Sequence, residues 1–572
     1  MEKMTNLQQF KTAVERFQTN KRSQSIKELL PPVIGNQSKY IVYLSIGQHN
    51  QRAKVFHHVS EQSYEKAQER VMDKAFKWLL KYQPNFTFVK LDYVTNVEET
   101  TLLKLQTKIA KYRKNYFRKG IAFDSDFSLS FLEQEVNGNA FIREAKNGVM
   151  GIDELNIRHY LKVNRYKVFN FTVNAYSQKN IYLFDTQGYF FDVTENRKWT
   201  ELYSGGLANG IRKAPNLKRE IEQITKKSTL FLEQEITSSG KFNYGYFSAF
   251  DKKIGTYNIL RHSSSLYSML EGYEVIGDKK ILASAKKSID YLISTSLVYR
   301  HEETAYIVDK ANADEIKLGS NATAILAITK YTEVSQDKSY IAYAQHLANG
   351  ILEMRNKEDG HYTHVLQYPT FDVKDKFRII YYEGEAVFSL LRLYQIDNDK
   401  KWLDEVVDYF EIFIAEDYWK HHDHWLSYAV NELTDYISDD KYYQFGLKNC
   451  ADKLDFMYHR ETTFPTFLEL TMAAYKMLRK IKAENKDYLL TDFDETLLIQ
   501  TIDKRAEYQR VGFMYPELAM YFKTPETVLN GFFIRHHSFR VRIDDVEHNL
   551  SGYIQYLLHR IPDIEKKALA TA

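Results

Sequence analysis

The chain has 572 residues, too many for one ordinary hydrophobic core, so at least two domains are expected. Its 44% hydrophobic and 27% charged residues are those of a globular rather than a disordered chain. A formal net charge of only +3, with both signs interspersed, excludes a basic face of nucleic-acid size. The single cysteine, Cys450, excludes an internal disulfide and a cysteine-rich zinc site.

The first residues, MEKMTNLQQFKTAVERF, lack the apolar stretch of a signal peptide, and no 18-residue apolar run follows. A cytoplasmic location without a membrane span is the expectation. Residues 1–205 mix strand and helix signals. Residues 40–46 and 52–59 read as strands joined by a Gly47-Gln-His-Asn turn, 63–82 as an amphipathic helix, and 86–94 as a further strand. Residues 167–176 and 180–185 read as a hairpin around Ser177-Gln-Lys. This is an α+β domain with no recognisable chemistry. Its Glu133 and Glu135 read as a solvated helix face.

Residues 206–215 collect glycines and a proline and read as a linker. Beyond it, residues 216–562 repeat a pair of helices and strand signals nearly vanish. Helices of one kind begin near Tyr257, Lys317, Tyr381, Asp423, Thr466 and Asp544. Helices of the other kind fall at about 217–236, 279–296, 338–355, 400–416, 440–456 and 495–508. The first kind, as in Asn321-Ala-Thr-Ala-Ile-Leu-Ala-Ile328, is apolar nearly all round and belongs inside. The second, as in Trp402–Ile414, has a polar face and belongs outside. Turns such as Gly277-Asp-Lys-Lys and Asn398-Asp-Lys-Lys suit αα-hairpins. Six inner and six outer helices close into an (α/α)6 toroid, so the expected fold is mainly α, with the toroid preceded by the smaller α+β domain. Residues 563–572 read as a tail.

In such a ring the inner helices run parallel and their first turns meet at one rim. Those first turns carry the candidate catalytic groups Tyr257, His262, Glu383, Glu385, Asp544 and His548. They also carry the candidate substrate-binding groups Asn258, Arg261, Asn321, Tyr382, His424, Trp425, Arg540 and Arg542. Helix N-termini favour an anionic ligand there. Capping explains Asp544 or Asn321 taken singly, but it does not call for Arg261, His262, His424 or His548. His421 and His424 could face together as a metal pair, yet the cluster radiates around its helix. No metal and no cofactor is expected. Leu489-Leu-Thr-Asp-Phe-Asp-Glu-Thr-Leu497 matches the nucleophile motif of haloacid-dehalogenase-type phosphatases. The residues that follow lack a βαβ pattern, and a capping box from Asp492 to Glu495 explains the same letters.

Residues 215–562 resemble the six-hairpin (α/α)6 superfamily of N-acylglucosamine 2-epimerases, several glycoside hydrolases and polysaccharide lyases. The likeness is carried by Gly240-Lys-Phe-Asn-Tyr244, Tyr257-Asn-Ile-Leu-Arg-His262, Leu318-Gly-Ser-Asn321, Asp359-Gly-His361 and Tyr381-Tyr-Glu-Gly-Glu-Ala386. The resemblance implies a carbohydrate-active enzyme: a hydrolase, lyase or epimerase handling a bacterial envelope or capsular sugar. A hydrolase would pair Glu383 or Glu385 with Asp544 or Asp545. A lyase or epimerase would use His262, His548 and Tyr257 with Arg261 or Arg542. The partner is then a carbohydrate or another anionic molecule. The alternative is a glycan- or peptide-binding scaffold without catalysis. Carboxylates or a His/Tyr pair within about 5–10 Å across the pit would favour catalysis, whereas a pit plugged by aromatic side chains would favour scaffolding.

Overall fold

A computed structural model describes residues 6–18, 26–165, 170–195 and 197–571. The chain forms two compact units. The first comprises Met1–Pro215 with two later segments, Tyr246–Lys253 and Val511–Val541; the second comprises the rest. The expected linker at 206–215 therefore lies inside the first unit, and two stretches expected in the toroid belong there too. Bridges made late in the chain cause this: Arg212 donates to both carboxylate oxygens of Glu517, and Ser45 Oγ lies 2.8 Å from Tyr521 Oη.

The core of the first unit is an antiparallel sheet in the spatial order Lys54–Ser60, Tyr40–Gly47, Phe88–Thr101, Asn180–Asp192, Gly120–Ala122 and Ser130–Phe131. The helix Tyr64–Tyr82 begins where Ser63 Oγ accepts the Lys66 N–H and ends at Gln83, which takes a left-handed conformation. Its apolar stripe of Ala67, Val71, Ala75 and Leu79 packs on Val42, Leu44, Leu91 and Tyr93 of the sheet. Val71 and Leu79 each contribute about 1.5–3 kcal/mol by leaving water, and the alanines less.

Two expectations fail here. Asn180–Asp192 pairs along the whole of Phe88–Thr101, while 173–176 is a 3-10 turn, so the expected local hairpin does not form. Residues 167–169 of its first arm lie outside the described residues. Glu133 and Glu135 are buried rather than solvated. Glu133 pairs with Arg118 at 2.8 Å, and Glu135 with Arg165 at 3.1 Å and with the Tyr160 hydroxyl. Cations supplied from distant parts of the chain compensate their desolvation, which local periodicity cannot reveal.

The second unit is the toroid. Its inner helices are Ile259–Ile276, Leu318–Ser335, Tyr381–Asp397, His424–Tyr436, Phe467–Ala483 and Ile543–Gln555. Each packs on the next, and the sixth packs on the first, closing the ring. The outer helices are Leu217–Gln234, Lys279–Ser296, Ile341–Glu353, Lys400–Ala415, Asp440–Ala451 and Glu495–Gln509. The hairpin turns work as their letters suggest. Gly277 ends the first inner helix at φ 70°, and Asp278 then caps the next helix by accepting the Lys280 N–H. Asn398 and Asp399 repeat the device. All residues from Leu318 to Thr332 of the second inner helix are buried, as its all-round apolar sequence requires.

Three details of the toroid differ from expectation. It carries a five-stranded antiparallel sheet, ordered Leu297–His301, Thr304–Asp309, Glu315–Lys317, Val365–Gln367 and Asp372–Asp375. Thr304–Asp309 is buried along its whole length and so shows no alternation, and Glu315–Lys317 and Val365–Gln367 are only three residues each. Asp494, not Asp492, caps the last outer helix by accepting the Leu497 N–H. Ile561–Thr571 is helical rather than a tail, fastened by Tyr475 to Asp563 and Lys218 to Glu565. No helix among the described residues is long and apolar enough to cross a membrane.

Candidate active site

The first turns of the inner helices meet in the pit of the ring. Arg261, in the first turn of the first inner helix, reaches Asp544 in the first turn of the sixth, with Nε 3.5 Å from Oδ2. Arg542 pairs with the other oxygen of Asp544 and lies 3.4 Å from Asp545. Both guanidiniums remain about one quarter exposed, whereas the two carboxylates are buried.

Glu385, from the third inner helix, points a buried carboxyl at the same place, and its Oε2 has no hydrogen-bond partner among the described residues. Gly319 makes room for it. A Cβ at Gly319 would fall 2.1 Å from that oxygen, so only glycine lets the second inner helix pass so close. Burial lifts the Glu385 pKa to about 8, with Arg261 opposing and Glu547 adding to the rise. Glu385 is therefore largely protonated at neutral pH.

The centre of the pit holds two histidines. His424 opens the fourth inner helix and His548 lies in the sixth; their ring centroids are 5.0 Å apart and nearly perpendicular. Burial lowers the His548 pKa, but Glu469 and Glu547 overcome it and raise it to about 9. Glu469 Oε2 lies 3.1 Å from His548 Nδ1, Glu547 Oε1 lies 3.9 Å away, and the Tyr428 hydroxyl holds Glu469 Oε1 at 3.1 Å. Burial pushes His424 the other way, well below its ordinary value, helped by His548 and Arg261. Its Nε2 has no hydrogen-bond partner among the described residues. One imidazole is thus neutral and its neighbour protonated. Trp425 extends the group: its ring lies 6.4 Å from His548 and packs among Tyr267, Phe388 and Tyr428.

Not every expected residue comes to the pit. His262 is buried between the shells, with Nδ1 2.8 Å from the Tyr257 hydroxyl and Nε2 close to Ser288 of an outer helix. Its pKa drops to about 4 by burial. Glu383 accepts hydrogen bonds from Tyr409 of an outer helix and from Tyr418. Burial alone would raise its pKa, but the His364 ring 3.7 Å away and the hydrogen bonds from Tyr418 and Tyr409 hold it low, a structural anion. Asn321 spends its amide on the Ile307 N–H and the Lys317 carbonyl. Asn258 caps its own helix. Tyr382 packs on His364, beside Gly319. Arg540 belongs to the first unit. Only Arg261, Glu385, His424, Trp425, Arg542, Asp544 and His548 converge.

Sequence reasoning passed over Glu469, Glu547 and Tyr428. Glu547 was findable, since it stands three residues after Asp544, on the same helix face. Glu469 stands in the first turn of its helix, where a carboxylate is also favoured by the macrodipole, so nothing marked it out. The possible metal pair changes in the same way. His421 lies in a separate 3-10 turn against Tyr418, while His424 meets Glu469 and His548. These three offer ligand atoms within 4.8 Å of one another. Donors sharing one zinc lie about 3.3 Å apart, so the side chains would have to close in to hold an ion.

No protein-family model matches the chain, and a search of curated proteins finds no match. Solved structures do match. A D-mannose isomerase is 10% identical over 60% of this chain and 99% of its own, with a TM-score of 0.47. The cellobiose 2-epimerase of Bacillus thermoamylovorans B4167 is 12% identical over 59% and 99%, with a TM-score of 0.45. A GH76 alpha-mannanase from Bacteroides thetaiotaomicron is 10% identical over 60% and 97%, with a TM-score of 0.40. Likenesses at this level concern architecture and say nothing of substrate. The ring of six helical hairpins is in any case established by its own packing.

Proposed function

We propose that the pit is the active site of a carbohydrate-active enzyme that moves a proton at a sugar carbon, as an epimerase, isomerase or lyase does. The observation that carries this reading is the pairing of His424 with His548. Two adjacent titratable groups whose surroundings drive them to opposite protonation states mark a base and an acid. His424 Nε2, neutral and unpartnered, takes a carbon-bound proton. His548, kept protonated by Glu469 and Glu547, returns one. Arg261 stabilises the enolate-like oxygen between these steps.

Hydrolysis is the second reading, favoured by one observation. Glu385 is held protonated while Asp544 faces two arginines, an arrangement of two carboxyl groups of the kind a glycosidase needs. We further propose a cytoplasmic role in making or recycling a bacterial envelope or capsular sugar.

The test is to incubate mono- and disaccharides with the protein in D2O and follow them by NMR. Deuterium entering at a ring or carbonyl-adjacent carbon, abolished in His424→Ala and His548→Ala, supports proton transfer. Reducing-end release without deuterium selects hydrolysis. Binding without either selects the scaffold alternative.

A further inference from the structure

Resting on the carbohydrate reading above, we infer that the pit takes an uncharged sugar and rejects one bearing a carboxylate or phosphate. Parallel helix N-termini suggest the reverse, because their free N–H groups favour anions. The protein's own side chains occupy those of the first and fourth inner helices, and first-turn carboxyl groups oppose an added anion at three more. Asn258 Oδ1 accepts the Leu260 N–H, and Asp423 accepts those of Trp425 and Leu426. Glu383, Glu469, Asp544 and Asp545 stand in the first turns of three other inner helices.

The cations are each matched by carboxyl groups, leaving no uncompensated positive charge for a full ligand anion, although the exposed quarter of Arg261 can still polarise a sugar oxygen. Arg261 and Arg542 face Asp544 and Asp545, and His548 faces Glu469 and Glu547. Around these three cations stand five carboxyl groups: Glu385, Glu469, Asp544, Asp545 and Glu547. A ligand carboxylate would have to break an ion pair and add negative charge to a buried, acid-rich pit. Two acceptor atoms in the pit that lack a hydrogen-bond partner among the described residues point to the same class. Glu547 Oε1 is a carboxyl oxygen and His424 Nε2 an imidazole nitrogen. Sugar hydroxyls donate to such atoms, whereas a carboxylate or phosphate dianion offers them no proton.

The experiment is titration calorimetry of the full chain with three matched pairs: glucose and glucuronate, galactose and galacturonate, mannose and mannuronate. In at least one pair the neutral sugar is expected to bind at least tenfold more tightly than its uronate. In Glu547→Gln, compared at pH 8 where that carboxyl, lifted by burial to about 7, is mostly ionised, the gap is expected to narrow severalfold at nearly constant shape. A uronate that binds as tightly as its neutral partner overturns the inference and leaves the carbohydrate reading standing. An unchanged gap in folded Glu547→Gln also overturns it, since pit charge is then not the cause. If no member of any pair binds, the carbohydrate reading falls and this inference with it.

Discussion

His424 and His548 stand with their rings 5.0 Å apart, one driven neutral by burial and the other protonated by two glutamates. Neither state suits an isolated buried imidazole and its twin equally, so the pair is asymmetric by construction. Replacing either histidine by alanine is expected to lower turnover by about 100- to 10,000-fold, the usual worth of a positioned acid or base. Steady-state kinetics on the substrate found by deuterium exchange provides the measure. A loss below tenfold in both variants would place the chemistry elsewhere.

Turnover should fall on the alkaline side as pH rises through about 8 to 9, where Glu385 and His548 lose their protons. Stability has the same sign. Both groups have folded pKa values raised above the unfolded ones, so their contribution is complete below the unfolded values and is lost as pH climbs through about 8 and 9. Glu469→Gln removes a carboxylate that holds the His548 proton, and should move the alkaline limb downward. A limb that stays in place in this variant would disconnect Glu469 from His548.

Gly319→Ala puts a methyl group where Glu385 Oε2 now sits, at a separation of 2.1 Å. The carboxyl must move or the second inner helix must shift, at a cost of about 1–3 kcal/mol for overpacking. Activity should drop further than stability does, because Glu385 is displaced even in molecules that remain folded. Circular dichroism melts alongside kinetics separate the two effects.

His262→Ala should do the opposite. It removes a buried ring bonded to Tyr257 and Ser288, for a loss of about 1–3 kcal/mol. Turnover per folded molecule should be unchanged, because His262 lies between the shells. Chemical denaturation and active-fraction measurements report both quantities.

In the first unit, Glu135→Ala strands the buried guanidinium of Arg165, whose pairing with Glu135 is 3.1 Å. Breaking one side of a buried pair costs about 3–5 kcal/mol. Replacing both residues together should recover part of that loss in a denaturant series, and no recovery would mean that the two are not energetically coupled.

The ring was readable because its cues are local. Gly277-Asp278 and Asn398-Asp399 end one helix and start the next within two residues, and the inner and outer helices differ in how much of their circumference is apolar. The site was legible only in part. Arg261, His424 and His548 stood out because capping does not need them, but helical spacing does not tell which way a side chain faces across two shells. His262 turns outward to Ser288 and Arg261 inward to Asp544, although they are adjacent in sequence. Glu469 resembled an ordinary first-turn carboxylate until its neighbour from another helix was known. The buried Glu133 and Glu135 escaped for the same reason, their cationic partners being remote in the chain.

The division of the first unit into three stretches has a consequence for biosynthesis. Ser45 and Arg212 wait for Tyr521 and Glu517, which leave the ribosome more than 300 residues after Arg212. The part of the protein made first is therefore among the last to be completed, and its early sheet must persist unfinished while most of the ring is synthesised. A gene cut at residue 215 would release neither half intact, so any attempt to study the leading portion alone must graft Val511–Val541 back onto it.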